Sequence, residues 1–234
     1  MSGELINQIA SDLASHGLIL RGGFSFAAEE ERAAGLSGAP ARSVLLVGNA
    51  GAGYWRHFLL WRETRPLNLP NPLDTWSRLV IGEVADRVGA RLIMPNDRPF
   101  APFQQWAIRA EGLAPSPLGL LMHPVYGLWH AYRGALLFDR ELAFPSLEKP
   151  IHPCDLCDGK PCLNTCPVDA FSPGVFDYAG CVAHVRGRMG YACRNAGCLA
   201  RNACPVGSSW RYPAAVKAFH QKAFAGLKEP SYRK

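Results

Sequence analysis

The residues with the clearest chemistry in this sequence are eight cysteines, all of which lie between Cys154 and Cys204 of the 234-residue chain. They form two runs that both end in Cys-Pro: Cys154-x2-Cys157-x4-Cys162-x3-Cys166-Pro167 and Cys181-x11-Cys193-x4-Cys198-x5-Cys204-Pro205. Three closely spaced thiolates can hold three irons of a cubane, so the fourth ligand has to come from elsewhere in the chain. The pattern therefore predicts two [4Fe–4S] clusters.

In two-cluster ferredoxins the last cysteine of each run binds the cluster of the other run, and we predict the same exchange here. One cluster is expected on Cys154, Cys157, Cys162 and Cys204, and the other on Cys166, Cys181, Cys193 and Cys198. Proline fixes φ and lacks an N–H, which suits the first position of a helix. A helix is therefore predicted to begin at Pro167.

Two other interpretations of the cysteines stay open. Four-cysteine zinc sites also use Cys-x2-Cys pairs, so a pair of zinc sites is one alternative. A disulfide framework is the other. It is not favoured, because a chain with 48% hydrophobic residues builds a core without staples and we expect no export signal at its start.

The remaining composition narrows the kinds of protein to consider. No apolar run reaches the ~18 residues of a membrane span, so we expect a cytoplasmic protein without a membrane partner. The formal charge of +6 would suit nucleic acid. Two clusters with their thiolates would add roughly −4, however, so nucleic-acid binding is not favoured.

Hydrophobic periodicity predicts alternating helices and strands before the cysteines. The clearest strand is Ser43–Val47, and the predicted helices include one over 103–111 and one that has Asp74 as its N-cap and ends at Gly89. The apolar face of that last helix is predicted to contain Trp76, Leu79, Val80, Val84 and Val88. Further strands are expected at Leu18–Leu20 and Leu92–Met94, an amphipathic first helix before Gly17, and a terminal helix after Pro213.

The composition changes from aliphatic to Cys, Pro and Gly near residues 145–153, which indicates a domain boundary. We predict an α+β protein with a mixed α/β sandwich domain over 1–148. A ferredoxin-like module with two clusters follows over 149–212, and a helix with a tail over 213–234.

The cysteine order and the two Cys-Pro pairs resemble the epoxyqueuosine reductase family, whose relatives include reductive dehalogenases. Two further stretches are similar to that family: Arg109-Ala110-Glu111-Gly112-Leu113 and Leu121-Met122-His123-Pro124-Val125-Tyr126-Gly127-Leu128-Trp129. The resemblance implies a nitroreductase-like, cobalamin-type fold for residues 1–148. It also implies base-off cobalamin reduced by the adjacent clusters, and an acidic proton donor that would correspond to Asp97.

Individual residues also have plainer interpretations. Asp97 lies among prolines, where a raised pKa would suit a proton donor, but it could instead stabilise a turn or cap a helix. His123, Tyr126 and Trp129 could line a cofactor cavity or belong to an ordinary core. Residues 48–53, Gly-Asn-Ala-Gly-Ala-Gly, could surround a phosphate of a corrinoid or a flavin, or form a sharp strand-to-helix turn.

Three functions follow as hypotheses. The first is an oxidoreductase that uses cobalamin, or less favourably flavin, and receives electrons from reduced ferredoxin or flavodoxin through the clusters. The second is a non-catalytic electron carrier or cobalamin-handling accessory protein. It is favoured by residues 115–119, which replace a Gly-Lys-Asn stretch of the family and leave no ligand-facing lysine. The third is a zinc-stabilised interaction module.

Overall fold

The computed structural model describes residues 2–147 and 151–227. These residues form two compact units, one made of 2–113 with 130–147 and the other of 114–129 with 151–227. The units divide the chain differently from the predicted domains, because 114–129 and the residues after 212 both belong to the second unit. The predicted functional boundaries at 148 and 212 stay predictions.

Short strands and helices make up both units. The strands are β1 Ile19–Ser25, β2 Ser43–Ala50, β3 Arg91–Ile93, β4 Ala114–Pro115, β5 Leu121–Met122, β6 His130–Phe138, β7 Phe171–Ser172 and β8 Val175–Phe176. The α-helices are α1 Ser2–Ala14, α2 Trp55–Glu63, α3 Pro72–Val88, α4 Phe103–Glu111, α5 Tyr178–Arg186, α6 Tyr191–Ala196, α7 Leu199–Asn202 and α8 Ala214–Phe224. Two 3₁₀ turns lie at Arg188–Gly190 and Ser208–Trp210.

A four-stranded antiparallel sheet in the order β1-β2-β6-β3 is the centre of the first unit. β2 is buried from Ser43 to Asn49, as expected for a strand covered on both faces, and this confirms the strand predicted at Ser43–Val47. β6, which pairs along the whole of β2, was not predicted from the sequence. The mixed α/β character of the prediction is confirmed by this sheet and its helices.

The long helix α3 corrects one detail of the prediction. Its N-cap is Asn71 in the left-handed region, and Asp74 lies inside the first turn, where a carboxylate favours the helix dipole. Leu79 was assigned to the buried face but is 44% exposed, because it lies off the row that Trp76, Val80 and Val84 form at spacings of four. The helix ends, as predicted, at Gly89 with a φ of +64°.

The second unit consists of two short hairpins and small helices around the cysteines. The terminal helix is confirmed as α8, which buries Val216 and Phe219. The predicted helix at Pro167 is wrong. Pro167 lies in a turn that passes through Asp169 at a φ of +47° and leads into the β7–β8 hairpin, so the proline redirects the chain without starting a helix.

Within residues 2–147 and 151–227, no helix combines the length and the apolar sequence that crossing a bilayer requires.

Candidate metal centres

Four thiols from both cysteine runs face one another in the second unit. Burial, and then the nearby thiols of Cys204, Cys162 and Cys157, raise the pKa of Cys154 to about 11. These four residues, called cysteine group 1, line one pocket together with Met122 and Leu128. Three of its members come from the first run, and Cys204 comes from the end of the second.

Tight turns position the first three thiols of group 1. The N–H of Asp155 donates to the carbonyl of His152 at 2.9 Å, and the N–H of Leu163 donates to the carbonyl of Lys160 at 2.9 Å. Between these turns Gly159 and Lys160 have φ values of +66° and +38°, which reverse the chain. Cys204 follows α7 and so reaches the group from a separate element.

The other four thiols form cysteine group 2. Burial, and then the thiols of Cys198, Cys166 and Cys193, raise the pKa of Cys181 to about 11. Cys181 lies in α5 and Cys193 in α6, while Cys198 is the N-cap of α7. Cys166, the last cysteine of the first run, is the fourth member.

The structure thus places the thiols in two sets, each with three cysteines of one run and the last cysteine of the other, and the binding of a cluster by either set stays a prediction. Cys162 and Cys204 of group 1 share an apolar cluster with Cys166 and Cys198 of group 2, so the two groups are neighbours. All eight thiols are free in the structure. Among the described residues, no three His, Cys, Asp or Glu side chains converge as a site for a single metal ion.

Backbone N–H groups point at several of these sulfurs. The N–H of Ala170 donates to the Sγ of Cys166 at 3.3 Å, and the N–H of Arg201 donates to the Sγ of Cys198 at 3.5 Å. Such bonds stabilise thiolates, yet burial and mutual repulsion still raise the pKa of Cys154 and Cys181. Four thiols are also the ligand set of a [4Fe–4S] cluster or a four-cysteine zinc site. The donor set fits a metal cluster.

The aromatic residues that were predicted to line a cofactor cavity belong to the second unit, where Trp129 is buried and His123 and Tyr126 are partly buried. The His123 ring stacks on Tyr126 at 4.0 Å, and its Nδ1 accepts the N–H groups of Val125 and Tyr126 at 3.0 and 3.1 Å. Trp129 is fully buried beneath the guanidinium of Arg201, 4.7 Å from the ring centroid. The structure favours core packing for Trp129, and a cofactor contact of His123 or Tyr126 stays a prediction.

Asp97 lies in the first unit, in the loop after β3. Its carboxylate accepts hydrogen bonds from Arg78 and from the N–H of Met94, the latter at 2.9 Å. Burial opposes ionisation, but the bonds from Arg78 and Met94 outweigh it and hold the pKa of Asp97 below its usual value. The raised pKa predicted for a proton donor is therefore wrong, and the turn interpretation fits the contacts. The catalytic role itself stays a prediction.

The first unit also contains a buried polar network that the sequence did not reveal. Arg21 is fully buried in β1 and donates to both carboxylate oxygens of Glu111, at 2.9 and 2.8 Å. The hydroxyl of Tyr132 donates to the same carboxylate, and the Arg21 guanidinium lies 4.6 Å from the Tyr132 ring centroid. An arginine inside a short apolar strand was the one sequence signal for such a partner.

The loop after β2 is the sharp strand-to-helix turn that was predicted for residues 48–53. Gly51 has a φ of +58°, and the buried Asn49 donates from Nδ2 to the Gly51 carbonyl at 3.0 Å. The guanidinium of Arg133 donates to Asn49 Oδ1 at 3.0 Å. The loop is therefore held by side chains of the unit itself.

No protein-family model and no curated protein sequence matches the chain. Solved structures do match by fold. A selenomethionine-labelled epoxyqueuosine reductase has a TM-score of 0.57 at 12% identity, over 93% of this chain and 69% of that one. The epoxyqueuosine reductase from Bacillus subtilis has a TM-score of 0.53 at 14% identity, over 92% and 69%.

A third structure matches over nearly its whole length. The C. elegans B12-trafficking protein CblC has a TM-score of 0.56 at 13% identity, over 100% of this chain and 99% of that one. At these identities the likeness establishes the fold. The chain has the mixed α/β fold that epoxyqueuosine reductases and CblC share, and the predicted resemblance is confirmed at that level.

Proposed function

We propose that this protein is an iron–sulfur redox protein that holds one [4Fe–4S] cluster on each cysteine group and relays single electrons to a cofactor or substrate in its first unit. The observation that carries the proposal is the grouping of eight free thiols into two neighbouring sets of four, each completed by the closing cysteine of the other run. The similarity of fold to epoxyqueuosine reductases supports it.

The residues around each group would serve an electron-transfer centre. Cys154, Cys157, Cys162 and Cys204 would hold one cluster, and Cys166, Cys181, Cys193 and Cys198 the other. A bound [4Fe–4S] cluster supplies one-electron redox chemistry whose potential depends on hydrogen bonds to sulfur and on solvent access. The N–H groups of Ala170 and Arg201 provide such bonds, and Met122 and Leu128 pack in one apolar cluster with Cys162 and Cys204 of group 1.

Metal analysis after anaerobic preparation tests this proposal. We expect brown protein with about eight iron and eight sulfide per chain, and a visible absorbance that bleaches with dithionite. Stoichiometric zinc without iron or sulfide would establish the zinc-stabilised module. Colourless, metal-free protein from the same preparation would exclude both.

A second candidate is a cobalamin-handling accessory protein, favoured by the match to CblC over almost the full length of both chains. Titration of the reconstituted protein with hydroxocobalamin, followed by corrinoid absorbance, tests for cobalamin binding. If cobalamin binds and Asp97→Ala leaves every measured activity unchanged, the accessory function is supported. A large loss of turnover in Asp97→Ala would favour the reductase, in which Asp97 is the proposed proton donor.

The proposal also includes cytoplasmic location, reduced ferredoxin or flavodoxin as the electron donor, and His123 and Tyr126 as cofactor contacts. Reduction of bound hydroxocobalamin by a ferredoxin and its reductase, with and without the clusters, would test the complete relay. Flavin binding is a weaker part of the proposal, because it rests only on the loop at 48–53.

A further inference from the structure

The charges of the second unit are divided unevenly along the sequence. Residues 178–227 contain seven Lys or Arg and no Asp or Glu, whereas residues 151–177 contain four Asp and one Lys. Cysteine group 2 is mostly built from the basic part, and group 1 mostly from the acidic part. The chain segment that contributes three members of group 2 is therefore basic, and the segment that contributes three members of group 1 is acidic.

A compact basic and apolar surface is formed where α5 turns into α6. Met189 is 87% exposed and Tyr191 is 69% exposed, so both present large apolar surface to solvent. Between α5 and this pair lies Arg188, which is exposed and makes no hydrogen bond or ion pair within the described residues. Residues Arg188, Met189 and Tyr191, at the turn of the helical hairpin that α5 and α6 form, are called the hairpin surface below.

The hairpin surface is rigidly joined to cysteine group 2. Arg194 donates from Nη1 to the carbonyls of Val185 and Gly187 at 2.6 and 3.1 Å, which ties α6 to the end of α5. A Cβ on Gly190 would lie 1.9 Å from the His184 carbonyl oxygen, so the two helices meet closely there. These helices carry Cys181 and Cys193, and Cys193 is two residues after Tyr191.

Group 1 has a different outer surface. Leu156, between two of its cysteines, is 75% exposed, but its exposed neighbours Asp155 and Asp158 are acidic. The exposed Lys160 offsets one of these two carboxylates, so a negatively charged protein would be attracted more to the hairpin surface than to this one. The guanidinium of Arg194 is hydrogen-bonded within the unit, whereas Arg188 is exposed to solvent.

From these observations we infer that the hairpin surface is the docking site of a small acidic electron-carrier protein, so that electrons enter through cysteine group 2. This inference rests on the proposed function. In each encounter the reduced carrier loses one electron and the centre held by group 2 gains one, with no bond made or broken. Arg188 supplies long-range attraction, and Met189 and Tyr191 supply apolar contact at the point of closest approach.

The probe is a plant-type [2Fe–2S] ferredoxin of net negative charge, used with the cluster-loaded 234-residue chain. Binding of the oxidised ferredoxin is measured by anisotropy of a fluorescent label, and electron transfer from the reduced ferredoxin by stopped-flow absorbance. We expect both affinity and second-order rate constant to fall about tenfold between low and near-physiological salt, because exposed charges are screened. Arg188→Glu should lower both by about fivefold or more at low salt.

The matched control is Arg140→Glu, which makes the same charge change at an exposed arginine of the first unit. It should alter both quantities less than about twofold. Iron content and reduction by dithionite should be unchanged in both variants. These measurements separate the two proposals. Missing clusters would refute the proposed function, whereas unchanged ferredoxin binding in Arg188→Glu would refute only the docking inference.

Nucleic acid is the other partner that a basic surface suits. Mixed tRNA is therefore tested in the same anisotropy assay as a competitor. Saturable tRNA binding without ferredoxin binding, or a ferredoxin rate that does not depend on salt, would overturn the docking inference. Met189→Ala/Tyr191→Ala should slow electron transfer while leaving its salt dependence intact. If this double variant has no effect, Met189 and Tyr191 do not take part in docking.

Discussion

The exchange of closing cysteines can be tested with two triple variants that share two substitutions and differ in the third. Both lack Cys154 and Cys157. The first also carries Cys204→Ala, and the second carries Cys166→Ala. In the first variant group 1 retains only Cys162, while group 2 keeps all four thiols. In the second variant group 1 keeps two thiols and group 2 keeps three, so neither set is complete.

The expected iron contents follow from these sets. A [4Fe–4S] cluster requires four ligands, so the first variant should retain about four iron per chain, against about eight in the unaltered protein. The second variant should retain less than the first and show no clean signal of a four-thiolate cluster. Iron and sulfide analysis with electron paramagnetic resonance of the dithionite-reduced proteins measures both. Far-UV circular dichroism of each variant is the control for folding.

The opposite ranking would refute the exchanged grouping. If each run held its own cluster, Cys166→Ala would fall in the run already damaged by the first two substitutions. The second run would then remain whole, and the second variant would keep about four iron. The first variant would have no complete set. Because the two proteins lose the same number of thiols, a general loss of stability cannot produce this reversal.

Two further predictions concern the first unit. Glu111→Ala should lower the free energy of unfolding in urea by about 3–5 kcal/mol, because it leaves the fully buried charge of Arg21 without its carboxylate. Glu141→Ala, which breaks an exposed ion pair, should lose about a quarter of that or less, and equal losses would contradict the buried-pair reasoning. For Asp97, whose pKa is lowered by Arg78, stability is present at neutral pH and lost as pH falls through the lowered pKa. The difference in Tm between the unaltered protein and Asp97→Asn should accordingly be largest near pH 7 and vanish well below pH 4, and a difference that does not change with pH would contradict a contribution from the ionised carboxylate.

Features with a local cause were predictable from the sequence. Helix α4 has the predicted bounds, and Gly89 ends α3 because only a residue tolerant of positive φ suits that position. The proximity of Cys204 to the first run and of Cys166 to the second was predictable from the exchange of closing cysteines in two-cluster ferredoxins, and cluster binding itself stays a prediction. Each of these depends on residue type and spacing within one segment, or on a stoichiometric rule.

Features with a distant cause were missed. β6 contains Arg133 and Gly134 among its apolar residues, so its sequence shows neither alternation nor a continuous apolar run before Ala135. It is buried because it pairs with β2 and β3, which are remote in sequence. The Arg21–Glu111 pair likewise joins residues 90 positions apart. The pKa of Asp97 was misjudged for the same reason, since its partner Arg78 lies on another element.

One of the two stretches that resemble the family, residues 121–129, packs beside the cysteine site. A Cβ on Gly127 would lie 2.1 Å from the Val206 carbonyl oxygen, and a Cβ on Gly207 would lie 2.4 Å from the Tyr126 carbonyl carbon. The turn at 123–127 therefore fits directly against the turn that follows Cys204. Met122 and Leu128, at either end of the first turn, line the group 1 pocket. Since glycines at both contacts permit this fit, the aromatic segment and the closing Cys-Pro form one structural element, and the segment acts first as a wall of the cysteine site.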